Sequence, residues 1–225
     1  MRTRMVVVGW LHALAAAFQF LTRLPVPLRF EYTERIFRRS VIFYPLAGAV
    51  IGLLLWGAEV VLKHLLPPFP AAVILLAMWV GITGGLHLDG LMDTADGILS
   101  HRSREKMLEI MKDSRVGAMG VIVCVLHLLL KLSLLYTLLQ ADRDASIFVD
   151  SSVGNSVSNG ISNSVSFVLV IIPCWSRWFM AASIYMWPYA RKESGLGGLF
   201  QTVRASHVVF SALAALVTNW LFFCA

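Results

Sequence analysis

Long apolar runs alternate with short polar connections along almost the whole chain. Residues 41 to 62, 69 to 86, 116 to 139, 165 to 187 and 206 to 224 approach or exceed the roughly 20 residues that a helix needs to cross ~30 Å of hydrocarbon. A sixth run, residues 5 to 21, is shorter and either spans, re-enters or forms a buried helix. A removable signal peptide is the other reading of that run, since Arg2 and Arg4 precede it, but Phe18, Gln19 and Phe20 make a poor cleavage site. The pattern predicts an all-α, polytopic helical integral membrane protein of about five to six membrane segments. It forms one domain over residues 1–225, because no polar stretch is long enough to bury a core of its own.

The connections carry their own signals. Pro25 and Pro27 close the first segment, and the chain from there to Ser40 is polar and basic. Pro67, Pro68 and Pro70 mark a short external turn, and Gly48, Gly52 and Gly57 in the second run allow close helix approach. Residues 142 to 166, rich in Ser, Asn and Val, lack helical periodicity and read as a flexible external loop. Between His101 and Arg115, Met107, Leu108, Ile110 and Met111 give a highly charged stretch one apolar side, which predicts a short helix at the cytoplasmic interface.

Composition agrees with a lipid solvent: 58% of the 225 residues are hydrophobic and 14% are charged, against about 25% charged in ordinary soluble domains. The net charge of +6 would suit nucleic acid, but its distribution points elsewhere. Arg23, Arg29, Arg35, Arg38 and Arg39, then Arg102, Arg104, Lys106, Lys112 and Arg115, then Arg191, Lys192 and Arg204 fall in alternate loops. The opposite loops carry Lys63 and Arg143. Such segregation marks the cytoplasmic side of a membrane and excludes a nucleic-acid partner. Cys124, Cys174 and Cys224 sit in apolar runs at unrelated spacings and read as packing residues.

The chemistry concentrates in Gly84-Gly85-Leu86-His87-Leu88-Asp89-Gly90-Leu91-Met92-Asp93-Thr94-Ala95-Asp96-Gly97. On a helix of about 3.6 residues per turn, Asp93 and Asp96 fall roughly +40° and −20° from Asp89, so the three acids line one face. Three carboxylates crowded at a bilayer edge call for a cation, and hard oxygen ligands favour Mg²⁺ held jointly with substrate phosphates. Asp89, Asp93 and Asp96 are therefore the expected metal ligands. His87 points away from them and reads as a packing or hydrogen-bonding residue, or as a substrate contact. In the basic stretch, Arg102, Lys112 and Arg115 are candidates for binding a diphosphate or, more plainly, anionic lipid. Gly117 and Gly120 would let backbone approach a ligand closely. Arg177, inside an apolar run, faces either a partner helix or a polar cavity and is a further candidate substrate contact. Lys131 reads as snorkelling toward the external end of its span. Acids and bases at one membrane face together suggest metal-assisted phosphoryl transfer.

These residues resemble the cobalamin synthase family, adenosylcobinamide-GDP ribazoletransferase. Phe18-Gln19-Phe20-Leu21-Thr22-Arg23-Leu24-Pro25-Val26-Pro27 is similar to its opening signature, Phe43-Tyr44-Pro45-Leu46-Ala47-Gly48 to its second, and Gly84 to Gly120 to its central motif. Ser176-Arg177 and Tyr189-Ala190-Arg191 resemble later landmarks. The resemblance implies transfer of adenosylcobinamide phosphate from adenosylcobinamide-GDP to α-ribazole or its 5′-phosphate, with GMP released and Mg²⁺ required. It implies a bacterial or archaeal cytoplasmic membrane with the active site on the cytoplasmic face. A homo-oligomer stays open. On this reading Arg115 and nearby cations balance developing charge, and Asp96 or Asp113 accepts the ribose hydroxyl proton. Family members generally continue to a Gly-Gly-x-Thr-Gly-Asp stretch and a last helix, whereas this chain ends at Ala225, which leaves its activity an expectation to test. Two other readings compete: a CDP-alcohol phosphotransferase, whose Asp-Gly-x-x-Ala-Arg element is absent, and a cation transporter using the same acids, whose site would lie nearer the bilayer midplane.

Overall fold

A computed structural model describes residues 2–31, 33–150, 155–190 and 196–223, with side chains for 7–31, 33–144, 167–190 and 197–221. Among the described residues every regular element is a helix, and there is no strand. Helix α1 covers Arg2–Leu21; α2, Glu34–Ser40, runs through a 3₁₀ turn at Val41–Phe43 into α3, Tyr44–Leu65. Then come α4, Pro68–Thr83, and α5, Leu86–Ile98. A short α6, Arg104–Ile110, precedes the long α7, Ala118–Asp150, and α8, Asn155–Met186. A 3₁₀ turn at Leu196–Phe200 leads to α9, Ala205–Phe223.

Three segments are long and apolar enough to cross a membrane: Glu34–Leu65, Ala118–Asp144 and Phe167–Met186. The run expected at 69 to 86 is a shorter helix, because it breaks at Gly84-Gly85 and α5 leaves α4 at 87°. That pair counts as a fourth crossing if it is one bent span, and Val7–Leu21 and Ala205–Leu221 are shorter apolar helices. The architecture is that of a polytopic membrane protein, with α6 as the short helix expected within 101 to 115. The loop expected at 142 to 166 is corrected: α7 continues to Asp150 and α8 begins at Asn155, while 151–154 lie outside the described residues. Serine and asparagine are only mildly unfavourable in helices, so two helices can run into this polar sequence.

The largest helix interface joins α3 to α8. A Cβ at Gly48 would collide with the backbone of Pro173 and Cys174, and one at Gly52 would lie 2.6 Å from the Leu169 carbonyl oxygen. Small residues four apart thus bring two backbones together, which in lipid replaces the hydrophobic drive available in water. Ile51, Leu55, Ala71, Ala72, Leu75, Trp79, Leu135, Leu139 and Leu169 form the core shared by α3, α4, α7 and α8. Beside it, Lys63 Nζ bridges two buried carboxylates, Glu59 at 4.0 Å and Asp142 at 3.6 Å, tying α3 to α7. Asp142 is therefore part of the packed structure and not of a loop.

Candidate active site

The site is built around the bend between α4 and α5. Gly84 (φ +67°) and Gly85 (φ +71°) are both left-handed, a conformation that glycine adopts without the Cβ penalty. Over Gly84 lies Arg23: a Cβ there would meet the Arg23 side chain, and the Arg23 amide donates to the Ile82 carbonyl at 2.7 Å. The turn that carries Arg23 is fixed by Gln19, whose amide nitrogen donates to the carbonyls of Val26 (3.1 Å) and Leu28 (2.8 Å). In the sequence Arg23 is a basic loop residue within the opening signature; its contact with Gly84 depends on tertiary packing.

Beyond the bend, α5 carries Asp89, exposed, and Asp93, half-buried. Asp96 lies one turn further and has a different occupation. Its Oδ2 accepts the Gly117 amide at 2.8 Å and its Oδ1 accepts the Gly120 amide at 2.7 Å. The carboxylate therefore sits at the amino end of α7, where free backbone N–H groups and the helix dipole favour an anion. Glycine is required at both positions, because a Cβ at Gly117 would overlap Asp96 and one at Gly120 would lie 2.9 Å from the Met92 carbonyl. The expectation that these glycines approach a ligand is corrected: they approach Asp96. Among the described residues no three His, Cys, Asp or Glu side chains are grouped so as to hold a metal ion. All three expected ligands, Asp89, Asp93 and Asp96, lie on α5, and Asp96 is the one bonded to the head of α7.

The basic segment is carried back to the same region. Gly97 faces Met111 and the Met107 carbonyl, so α6 packs on the end of α5. Arg102 and Lys112 are exposed there. Arg104 Nη2 donates to the Ala190 carbonyl at 3.2 Å, linking this segment to the chain after α8, a contact that the sequence did not signal. Arg191 and Lys192 lie outside the described residues. Arg115 forms a fork with Asp113, with Nε 3.0 Å from each carboxylate oxygen and Nη2 2.6 Å from Oδ2. The Arg115 side chain and backbone amide together hold the Asp113 carboxyl down to about 2. A group so acidic is a weak proton acceptor, which counts against Asp113 as a general base.

His87 and Arg177 lie on the wall of a cavity of about 660 Å³ between α4, α5, α7 and α8, whose described lining holds no Asp or Glu. His87 Nε2 is 3.1 Å from the Met180 sulfur, and Arg177 is only 4% exposed. Half-exposed Lys131 has its Nζ 3.4 Å from the Trp79 ring centroid, on the wall of the same cavity.

The model of the family described as cobalamin-5-phosphate synthase matches residues 13–225. The chain belongs to that family. It is 37% identical over 211 residues to an adenosylcobinamide-GDP ribazoletransferase of Brevibacillus brevis, covering 93% of this chain and 76% of the relative. A relative of the same name from Desulfitobacterium hafniense is 37% identical over 208 residues, covering 91% and 74%, and one from Geotalea daltonii 35% over 206, covering 91% and 74%. No solved structure matches the chain. For a member of the cobalamin-5-phosphate synthase family, an enzyme family by its relatives' name, the geometry explains why distant signatures occur together. The Phe18–Pro27 segment supports the Gly84 bend, and Gly117 and Gly120 receive Asp96. In the second signature, the Tyr44 ring stacks on Phe20 with centroids 6.3 Å apart.

Proposed function

We propose that this chain is an adenosylcobinamide-GDP ribazoletransferase, moving adenosylcobinamide phosphate from adenosylcobinamide-GDP to α-ribazole or its 5′-phosphate and releasing GMP. The observation that carries the reading is the pair of hydrogen bonds that Asp96 accepts from the Gly117 and Gly120 amides. It fastens the acid-bearing α5 to the head of α7, and the intervening basic segment packs through α6 on the end of α5.

Asp89 and Asp93, one turn apart on α5, are the residues that would hold Mg²⁺, whose usual site takes one or two protein carboxylates with phosphate oxygens and water. Bound there, the ion would polarise the diphosphate oxygens of the donor. Arg102 and Lys112 supply positive charge toward the same diphosphate, and guanidinium forks suit its oxygens. Arg115 is held by Asp113, so the pair is a preset dipole that substrate phosphate would have to outcompete. Proton acceptance from the ribose hydroxyl falls to whichever of Asp89 and Asp93 keeps an oxygen off the metal, since Asp96 is engaged by two N–H donors and Asp113 by Arg115. Alternate-loop distribution of Lys and Arg supports a cytoplasmic membrane with these groups on the inner face. A cation path loses support, because Arg177 and Lys131 line the interior cavity.

The test is GMP release by the purified protein in liposomes supplied with adenosylcobinamide-GDP, α-ribazole 5′-phosphate and Mg²⁺. Release that stops on chelation and is at least 100-fold lower in Asp93→Asn is expected. No release by the wild type overturns the reading, and full activity in Asp93→Asn removes that residue from the site.

A further inference from the structure

The cavity between α4, α5, α7 and α8 is unusual in its charge. Arg177 and Lys131 both line it, together with His87 and His127, and no Asp or Glu is among its described lining residues. Both cations belong to the two long apolar segments Ala118–Asp144 and Phe167–Met186, where a charged side chain is costly without a counter-charge. Arg177 is 4% exposed; its Nη1 is 3.4 Å from the neighbouring Ser176 hydroxyl, and its Nε has no hydrogen-bond partner among the described residues. A guanidinium carries five N–H donors, so most of this one's capacity is unspent. Lys131 rests on the face of Trp79. Around these groups the walls are apolar, and at the mouth Leu130, Leu134 and Ile172 are 60%, 63% and 51% exposed on α7 and α8. The volume, about 660 Å³, is that of a site for a small organic ligand.

We propose that this cavity binds a phosphate group carried on an apolar or aromatic body. Arg177 and Lys131 hold the phosphate, the guanidinium through paired N–H donors, and Trp79 with the surrounding leucines holds the body. Two sources share that chemistry. One is the phosphorylated aromatic acceptor of the proposed transfer, and naming it rests on that reading. The other is an anionic lipid entering between Leu130, Leu134 and Ile172. Phosphate at this position neutralises two cations that have no acid beside them in the cavity's described lining.

Equilibrium binding to the full chain in phosphatidylcholine nanodiscs, with no donor nucleotide present, tests the site independently of turnover. The probes are two pairs: α-ribazole 5′-phosphate with α-ribazole, and short-chain phosphatidate with the matching diacylglycerol. The phosphorylated member of at least one pair is expected to bind at least tenfold more tightly, and the pair that discriminates identifies the source. Arg177→Gln and Lys131→Gln abolish the preference, whereas Lys131→Arg retains it. Because Arg177 is deeply buried, Lys131→Gln decides if Arg177→Gln fails to fold. Equal binding within both pairs, or a preference unchanged in Lys131→Gln, overturns the proposal. Failure of GMP release with intact phosphate-selective binding would count against the transferase reading alone.

Discussion

The Asp96 carboxylate and its two amide donors separate structural from chemical acids on α5. Hydrogen bonds to a charged group contribute about 1.5–3 kcal/mol each, so Asp96→Ala should lower thermal stability in detergent by a comparable amount. Asp93→Asn should remove turnover. An Asp96→Ala variant as stable as the wild type would refute the structural role of Asp96. Gly117→Ala overlaps Asp96 and should cost about 1–3 kcal/mol, the usual range for overpacking, measured in the same unfolding assay. At Asp113 the prediction concerns pH. Its carboxyl is held down to about 2 by Arg115, so the pair contributes fully above the ordinary carboxylate range and is lost only as pH falls toward 2. The activity profile between pH 5 and 8 should therefore be the same in Asp113→Asn as in the wild type. A missing limb in that variant would restore Asp113 as a base. The spacing of Asp89, Asp93 and Asp96 was legible because helical periodicity places them; the partner of Asp96 was not, because it lies on another helix.

At the scale of elements, the bend at Gly84-Gly85 decides where the acids lie. The apolar run 69 to 86 reads as an uninterrupted span, since glycine is common in membrane helices and hydropathy is blind to φ. The structure turns the chain by 87° there and sets Arg23 against the outer glycine. Gly84→Ala meets both a left-handed backbone, worth about 1–2 kcal/mol, and the Arg23 side chain. Gly85→Ala meets the backbone strain in open space. Gly84→Ala should therefore destabilise more than Gly85→Ala, and adding Arg23→Ala should recover part of the difference. Equal losses, with no recovery in the double variant, would show that Arg23 does not press on the bend. The reading of 142 to 166 failed for a related reason: weak local periodicity did not prevent α7 and α8 from extending into it.

The whole molecule is held by the close approach of α3 and α8. Replacing Gly52 by Val should separate them and reduce the yield of folded protein several-fold on size-exclusion chromatography, whereas Gly57→Val, at a position with open space, should not. Similar yields would mean that this contact is dispensable. What the sequence by itself determined is whatever depends on neighbours along the chain: apolar run lengths, the alternating charge of the loops, the acids sharing one face of a helix, and the ordered motifs that mark the family. Tertiary structure alone decided which acid is spent on an amide pair, which glycines meet a side chain, and that Lys131 and Arg177 share a cavity. Those outcomes depend on how helices distant in sequence settle against one another. Periodicity fixes the face of a helix but not the partner that the face will meet.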